Sequence, residues 1–496
     1  MIRSHESGLG FVSEETGTYW IPVIGLEVHC QLKTRSKLFC GCATGFGGEP
    51  NSRTCALCTG QPGTLPVLNR EALVLAVRAA AALGCDIAPW SKFDRKNYFY
   101  CDLPKGYQIT QFDRPYCTGG GIQLASGKFV RLNRIHIEED AGKAIHDQGS
   151  TTLVDLNRAG VPLIESVTEA DLTSSQEAYD YLTSLKEILQ YAGASDCDME
   201  KGSLRCDVNV SVHREGEPWG TKVEIKNLNS FRNVQASLEH EFGRQIDAYE
   251  SGDPSRYPVQ ETRLFDVNAD RTRTMRSKEE AMDYRYFAEP DLPRVTVSEN
   301  YIEQQRTFVP ELPTSRRERY QTELGLTQHD AEVLTASRPV ADFFEITARL
   351  SKRPKEAANW ISNELLRAFS DDKIPAGSID ELSLRPHDLA ELISLVTEGA
   401  MTKNAAKKVL RSMLTVGGGA KDTMEKLGLE QVQDDGQIED WCRDALAGNP
   451  SVAQDVRAGK DKAVGALIGP VMQASKGSAD PKLVRETLLR LIAEES

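Results

Sequence analysis

The chain has 496 residues, 40% of them hydrophobic and 27% charged, a composition typical of a globular protein of two to four domains. No run of about eighteen apolar residues occurs and the N-terminal stretch is polar, so the sequence predicts neither a membrane span nor a secretory leader. The net charge of −14 disfavours nucleic-acid binding over the whole surface, so any such binding must use local basic patches. Eleven scattered cysteines predict reduced thiols and a cytoplasmic location.

The first informative stretch is residues 24–29 (IGLEVH), whose alternation predicts a β-strand. Glu27 and His29 fall on one face, roughly 6.6 Å apart, which is close enough for both to reach one metal ion or phosphate. An edge strand with a solvated polar face is the alternative, and this stretch alone favours neither.

Two close pairs of cysteines follow, separated by a glycine-rich loop. Two pairs of thiolates can surround one tetrahedral Zn²⁺, and four protein ligands leave no open position, so the sequence predicts a structural zinc site in residues 40–58. Free thiols are the alternative, although buried cysteines do not ordinarily occur in such pairs. The predicted ligands are Cys40, Cys42, Cys55 and Cys58.

One helix and a basic, aromatic stretch come next. Asn69 is a typical N-cap for a helix from Arg70 to about Leu83, which Gly84 would end. In residues 91–112 cationic side chains alternate with aromatic rings. This composition can hold phosphates and stack on bases, or can equally form the rim of a core.

Carboxylates end the next two predicted strands. Residues 134–143 run into Glu138, Glu139 and Asp140, which repel one another unless a cation or several donors lie among them. Strand alternation does not decide whether Glu138 or Glu139 faces a site. Glu165 ends another apolar run, where a single carboxylate is more often a helix cap or a salt-bridge partner than a metal ligand.

Residues 174–249 are predicted to form two helices around an antiparallel strand pair. Ser174 and Glu177 make a capping box for the first helix. The strand pair presents one polar face, which includes Arg205 and is suited to a charged substrate. The predicted elements are a helix ending at Tyr191, strands 204–213 and 222–226, and a helix from Ser230 to about Tyr249.

A concentration of arginines and lysines lies between residues 263 and 285. In an acidic protein this favours a surface that faces a polyanion. Neutralisation by neighbouring carboxylates such as Glu279 and Asp283 is the alternative, and the sequence leaves both open. The residues predicted to contact phosphate are Arg205, Arg276, Lys278 and Arg285.

From Pro290 onward the pattern becomes helical, with apolar stripes typical of a core. The predicted class is α+β, with a largely antiparallel β-sheet cradle and flanking helices in residues 1–302, an all-α domain in 303–419, and a small helical tail in 420–496. Small and basic loops in the tail, at Lys460, Lys462 and Lys476, suit contact with phosphates, although isolated lysines are usually just solvated. The usual phosphate-binding and dinucleotide-binding glycine motifs are absent from the sequence, so any ATP must be held differently.

Taken together, these segments resemble the B-subunit family of aspartyl/glutamyl-tRNA(Asn/Gln) amidotransferases over nearly the whole chain. The resemblance is carried by the four cysteines and by residues 24–29 (IGLEVH), 102–109 (DLPKGYQI), 137–143 (IEEDAGK), 157–165 (NRAGVPLIE), 204–209 (LRCDVN), 283–287 (DYRYF), 459–463 (GKDKA) and 474–477 (ASKG).

The resemblance implies that ATP phosphorylates the side-chain carboxylate of Glu-tRNA(Gln) or Asp-tRNA(Asn), and that ammonia then displaces the phosphate. It implies two protein partners, an amidase (glutaminase) that makes the ammonia from glutamine and a small third component of the same amidotransferase, and no membrane. It also implies zinc at the four cysteines, and it resolves the choice between Glu138 and Glu139 toward Glu139. The residues it places around a catalytic Mg²⁺ are Glu27, His29, Glu139 and Glu165, with His29 also suited to proton transfer.

Two other classes of function remain open at this point. A zinc-stabilised RNA-binding protein without catalysis would use the cysteines and the tail, but would leave Glu27, His29 and Glu165 without a role. A metallohydrolase or nuclease would use the same histidine and carboxylates.

Overall fold

The computed structural model describes residues 2–4, 10–146, 149–277, 284–371, 379, 381–430, 435–457, 461–475 and 478–494. Two compact units make up the chain, Met1–Leu312 and Pro313–Ser496. Strands are confined to the first unit among these residues, and the second is helical, which confirms the predicted α+β class. Every helix in the described ranges is too short or too polar to span a lipid bilayer.

The described strands of the first unit are β1 Ile2–Ser4, β2 Phe11–Ser13, β3 Tyr19–Gln31, β4 Asp86–Ile87, β5 Trp90–Ser91, β6 Asp94–Asn97, β7 Tyr107–Thr110, β8 Cys117–Thr118, β9 Gly121–Gln123, β10 Phe129–Glu139, β11 Lys143–Ile145, β12 Leu153–Asp155, β13 Pro162–Thr168, β14 Leu204–Arg214, β15 Val223–Leu228, β16 Glu261–Asp266, β17 Arg271–Ser277, β18 Phe287–Ala288 and β19 Val295–Thr296. Twelve of these strands form one sheet, with nine in its main path, ordered β17-β16-β15-β14-β3-β13-β10-β8-β4. All pairs in this sheet are antiparallel except β15 with β16, as predicted for a cradle that is largely antiparallel.

Side-chain caps start the helices of this unit where the sequence predicted them. The Asn69, Ser174 and Ser230 side chains accept hydrogen bonds from the first-turn amides, which otherwise have no partner. A short 3₁₀ helix at Pro254–Arg256 follows the third helix. The helices are α1 Arg70–Ala82, α2 Ser175–Tyr191, α3 Phe231–Glu250 and α4 Glu299–Arg306.

Strand alternation separates a dry face of the sheet from a polar one. On β14 the side chains of Leu204, Cys206 and Val208 are buried in the main hydrophobic core, together with Leu26 and Val28 of β3. Residues of α2 and α3 belong to the same core, so these helices cover the apolar face. The intervening residues of β3 and β14 therefore point to the opposite face, where the polar side chains collect.

A buried carboxylate ties α3 to the β16–β17 hairpin. Glu241 is fully buried, accepts hydrogen bonds from Arg244 (2.8 Å) and Gln245 (3.1 Å), and forms an ion pair with Arg263 (3.0 Å). Burial by itself would raise the pKa of Glu241, but the hydrogen bond and charge of Arg244 lower it below its usual range.

The Glu241→Ala variant should lose about 3 kcal/mol of unfolding free energy, because two arginines are left without their buried partner. Since the pKa of Glu241 is lower in the folded than in the unfolded chain, its contribution exists above the unfolded-state pKa and disappears as pH falls through the folded-state pKa. Urea titrations at neutral and acidic pH should therefore show a variant deficit that shrinks in acid. Asp247→Ala, at an exposed position of the same helix, should change stability by no more than about 0.5 kcal/mol.

The second unit contains two separate hydrophobic clusters, one ending at Leu429 and the next beginning at Ile438. Ala420 and Met424 pack in the first cluster, so the core of the helical domain continues beyond the boundary predicted at residue 419. A π-helical segment, Ile361–Leu365, and a 3₁₀ helix, Asp461–Val464, are also present. The helices are α5 Pro313–Thr322, α6 Gln328–Thr335, α7 Arg338–Ser351, α8 Pro354–Trp360, α9 Leu366–Asp371, α10 Pro386–Thr397, α11 Lys403–Val416, α12 Ala420–Leu427, α13 Asp435–Gly448, α14 Pro450–Arg457, α15 Gly465–Ala474 and α16 Pro481–Glu494.

Candidate functional site

Four polar side chains form a row across the polar face of the sheet. Arg205 on β14 is paired with His29 on β3, His29 with Glu165 on β13, and Glu165 with His136 on β10. Directly opposed residues of antiparallel strands have Cβ atoms about 4.5–5.5 Å apart, so the register alone brings these groups together.

A histidine and two carboxylates converge at the centre of this row. His29 Nε2 lies 3.2 Å from Glu165 Oε2 and 3.5 Å from Glu138 Oε1. One ligand atom from each of the three residues lies within 4.8 Å of the others, a separation that one metal ion can bridge. The Glu138 side chain is 2% exposed and His29 is 22% exposed, so the cluster has a buried floor and an accessible imidazole.

The structure places Glu138 in this cluster and does not bring Glu139 to it. Glu139 accepts hydrogen bonds from the Ile109 amide (3.0 Å) and from the Lys105 ammonium. Consecutive residues of a strand point to opposite faces, so only one of the two carboxylates can face His29. The family resemblance favoured Glu139 as the residue that faces the site. The register of β10 places Glu138 there instead.

Glu27 shares the polar face of β3 with His29 but lies outside the group of three. Its carboxylate accepts a hydrogen bond from Asn209 Nδ2 at 2.9 Å. Asp207, paired with Glu27 in the sheet, forms an ion pair with Lys226. Glu27 therefore extends the polar surface along β3 from the cluster.

His136 is the functional candidate that the sequence analysis missed. Its Nε2 lies 3.2 Å from Glu165 Oε2 and 3.3 Å from Glu138 Oε2, and its Nδ1 is buried with no hydrogen-bond partner among the described residues. It precedes Glu138 by two residues on the same strand, so the period of two that linked Glu27 to His29 could have signalled it.

The charges of the cluster are mutually dependent. Burial would lower the pKa of His136, but the nearby Glu165 and Glu138 carboxylates raise it to about 9. Burial would also lower the pKa of His29, but its hydrogen bond with Glu165 raises that pKa above its usual value. Burial raises the pKa of Glu165, but the charge and hydrogen bond of His136 more than offset this and hold the pKa well below its usual range. The buried carboxylates of Glu138 and Glu165 need nearby positive charge to remain ionised, and the protonated imidazoles of His29 and His136 supply it.

The four predicted zinc ligands also converge. The Cys58 sulfur lies 3.4 Å from Cys40, 3.7 Å from Cys55 and 3.8 Å from Cys42. Sulfurs held about 2.3 Å from a tetrahedral zinc ion would lie about 3.8 Å apart, so the spacing fits this ion. The hydrogen bond with Cys40 lowers the pKa of Cys58 to about 4, and the Lys37 ammonium at 3.4 Å favours the same thiolate. These residues can hold a metal ion.

Comparison with known proteins identifies the family. The model of the GatB/GatE catalytic domain matches residues 22–303, and that of the GatB domain matches residues 342–492. The chain belongs to the B-subunit family of aspartyl/glutamyl-tRNA(Asn/Gln) amidotransferases. Relatives with that name include proteins of Thermodesulfovibrio yellowstonii (47% identical over 95% of this chain and 99% of the relative), Caldicellulosiruptor saccharolyticus (49%, over 94% and 98%) and Myxococcus xanthus (48%, over 95% and 98%). This confirms the resemblance and makes the chain a component of a tRNA amidotransferase ligase.

Among the residues predicted to contact phosphate, Arg205 lies beside the His29–Glu138–Glu165 cluster, because it is paired with His29 in the sheet. It donates to Asp140 at 2.7 Å, which orients its guanidinium beside the row. Arg285 is exposed and has a left-handed backbone (φ 43°). Only the backbone of Arg276 is described, and Lys278 lies outside the described residues.

Part of the basic stretch is neutralised within the fold. Arg263 is paired with Glu241 and Glu261, and Arg273 with Asp266. Of the tail lysines, Lys460 and Lys476 lie outside the described residues, and the Lys462 side chain is likewise not described.

Proposed function

We propose that this chain carries the ATP-dependent step of an aspartyl/glutamyl-tRNA(Asn/Gln) amidotransferase. In this step ATP phosphorylates the side-chain carboxylate of Glu-tRNA(Gln) or Asp-tRNA(Asn), and ammonia displaces the phosphate to give Gln-tRNA(Gln) or Asn-tRNA(Asn). The order is chemically reasonable because a carboxylate is a poor electrophile until it carries a leaving group. The observation that carries the proposal is the convergence of His29, Glu138 and Glu165 in a chain of this family.

The donor set supports a divalent cation, for which we propose Mg²⁺ held by His29, Glu138 and Glu165. Two buried carboxylates facing one imidazole nitrogen suit such an ion, although a nitrogen donor is less usual for Mg²⁺ than oxygen. When bound, the ion would neutralise phosphate charge and polarise the transferred phosphoryl group. His29 would present an unprotonated Nε2 in that state, since a ligating imidazole must be neutral.

Other side chains of the row would orient the substrates. Arg205 lies beside His29, and its guanidinium can contact a phosphate oxygen. His136 would hold the Glu165 and Glu138 carboxylates in place through its Nε2, as outer hydrogen-bond donors commonly do at metal sites. Glu27 and Asn209 would line the neighbouring surface.

Zinc is the proposed ion of the cysteine cluster. Four thiolates at tetrahedral spacing leave no position for a substrate, so the role is structural. Lys37, which is buried and also donates to the Leu156 carbonyl at 3.2 Å, would balance part of the negative charge and join the loop to the rest of the unit.

Metal analysis of the purified chain should find about one equivalent of zinc. The Cys55→Ser variant should lose this zinc, because a structural zinc ion requires four protein ligands and the variant retains only three thiolates. The matched control is Cys101→Ser, which replaces another exposed cysteine outside the cluster and should retain the metal. Equal zinc content in wild type and Cys55→Ser would contradict a four-cysteine site.

The proposed partners are an amidase (glutaminase) that supplies ammonia, a small third component of the same amidotransferase, and the mischarged tRNA. We place tRNA binding in the helical domain and in the tail, through Lys460, Lys462 and Lys476, which suits recognition of RNA shape and backbone by an acidic protein. None of the eleven cysteines, all of which lie in the described ranges, forms a disulfide, which supports a cytoplasmic location.

The test is an assay of the assembled amidotransferase with ATP, glutamine and mischarged tRNA. The proposal requires ADP formation that depends on the mischarged tRNA and amidated aminoacyl-tRNA as product. An RNA-binding protein without catalysis would form no ADP, and a nuclease would cleave the tRNA. Either outcome would contradict the proposal.

A further inference from the structure

Lys37 is a lysine whose side chain is completely buried (0% exposed) beside the cysteine cluster. An ammonium group is rarely removed from water unless an opposite charge accompanies it. Its Nζ donates to Cys58 Sγ at 3.4 Å and to the Leu156 carbonyl at 3.2 Å. The carbonyl is neutral, so of these two partners only the sulfur can supply a negative charge.

The acidic residues nearest to this lysine have other partners. Glu139 and Asp140 line the same cavity as Lys37, but Glu139 is ion-paired with Lys105, and Asp140 with Arg205 at 2.7 Å. The described part of the chain contains no ion pair between Lys37 and a carboxylate. The buried cation therefore requires an anionic sulfur in the cysteine cluster, which is the form in which a cysteine binds zinc.

The backbone of Lys37 is fixed by contacts that do not involve a metal ion. Its amide donates to the Cys42 carbonyl at 2.9 Å, within the loop that carries the cysteines. Its carbonyl accepts a hydrogen bond at 3.2 Å from Nδ2 of Asn69, the residue that caps α1. The ammonium is thus held against Cys58 by the fold, and the contact is not a consequence of a flexible surface side chain.

We propose that Lys37 tunes the cysteine cluster by stabilising the zinc-bound thiolates and making Cys58 a weaker nucleophile. Zn²⁺ with four thiolates carries two negative charges, and the Lys37 ammonium neutralises one of them. A hydrogen bond to the sulfur also withdraws electron density from the lone pair that an electrophile would attack. The inference rests on the proposed zinc site and deepens it, because it assigns tight binding and chemical inertness to a residue that is not a ligand.

The first test measures the zinc affinity of the full-length chain by competition with a chromophoric chelator. Lys37→Met fills most of the same volume but removes the charge and the donor. Its zinc affinity should be about 10- to 100-fold lower than that of the wild type, as is typical when a hydrogen-bond partner of a metal ligand is lost. The matched control is Lys33→Met, which replaces an exposed lysine of the same segment and should bind zinc as the wild type does.

Substitution of Co²⁺ for zinc separates tuning from misfolding. The d–d bands of the cobalt ion report the four-thiolate tetrahedron, and they should be the same in Lys37→Met as in the wild type. The sulfur-to-cobalt charge-transfer band should move to longer wavelength, because removal of a nearby cation raises the energy of the sulfur lone pairs. Loss of the d–d bands in Lys37→Met would overturn the proposal, since Lys37 would then be needed to form the tetrahedron itself.

Reactivity gives a third measurement. N-Ethylmaleimide alkylates thiolates, and the rate at which it releases zinc should rise about tenfold in Lys37→Met, because attack on Cys58 no longer breaks a hydrogen bond to a charged group. Equal zinc affinity, charge-transfer energy and release rate in Lys37→Met and the wild type would overturn the role of Lys37 and leave the zinc site intact. A wild-type chain that binds neither zinc nor cobalt would instead refute the zinc site.

Discussion

Replacing Glu165 by glutamine should lower tRNA-dependent ADP formation about 100- to 1,000-fold, while the affinity for mischarged tRNA stays within about twofold. Glu165 is the carboxylate shared by both histidines, with 3.2 Å contacts to His29 Nε2 and His136 Nε2. Glutamine keeps the shape of the side chain but removes the negative charge that a divalent cation requires. The measurements are steady-state ADP release at saturating tRNA and a separate tRNA titration.

The control for this variant is Glu169→Gln, four residues further along the chain. The Glu169 carboxylate accepts a hydrogen bond from Asn133 at 2.8 Å and lies outside the cluster, so activity should be retained. Parallel loss of tRNA binding and ADP formation in Glu165→Gln would indicate a role in folding and would contradict the catalytic assignment.

The adjacent pair Glu138 and Glu139 gives the second large effect. Glu138→Gln should weaken binding of a divalent cation by about 100-fold and reduce ADP formation accordingly, because Glu138 faces His29 at 3.5 Å. Glu139→Gln should leave cation affinity within about twofold, since its carboxylate is bound to Ile109 and Lys105 instead. Mn²⁺ titration followed by electron paramagnetic resonance measures the affinity in both variants.

Thermal unfolding of the two variants separates a binding effect from a folding effect. Glu139→Gln removes the charge partner of Lys105, so a lower melting temperature with unchanged Mn²⁺ affinity is the expected combination. A loss of Mn²⁺ affinity in Glu139→Gln, with Glu138→Gln unaffected, would reverse the assignment and restore the ligand set implied by the family resemblance.

Elements whose signals are local were predictable from the sequence. Helices α1, α2 and α3 begin after Asn69, Ser174 and Ser230 because a side-chain cap acts on amides within three residues. The strand pair β14–β15 was predictable because alternation between Leu204 and Val212 spans a single strand and the turn returns at once. The shared face of Glu27 and His29 follows from the same period of two.

Contacts between distant parts of the chain were not predictable in this way. Alternation assigns residues to two faces, but does not say which of the two faces the site. Since residues 138–140 are three consecutive carboxylates, the sequence could not show which of them faces the site. The local spacing of His136 and Glu138 could have drawn attention to His136, but its contact with Glu165 was not predictable because Glu165 lies on β13, which the chain reaches only after an intervening excursion. The sequence left open whether Arg263 faces a ligand or is neutralised within the fold, and the structure shows that α3 brings Glu241 to it.

By itself, then, the sequence determined which segments become strands and helices, which side chains carry metal-binding chemistry, and which family the chain resembles. Only the tertiary structure decided that Glu138 faces His29 and Glu165 and that His136 joins them. The physical reason is that a strand's faces follow from local backbone geometry, whereas the register between strands depends on how the whole sheet pairs and packs.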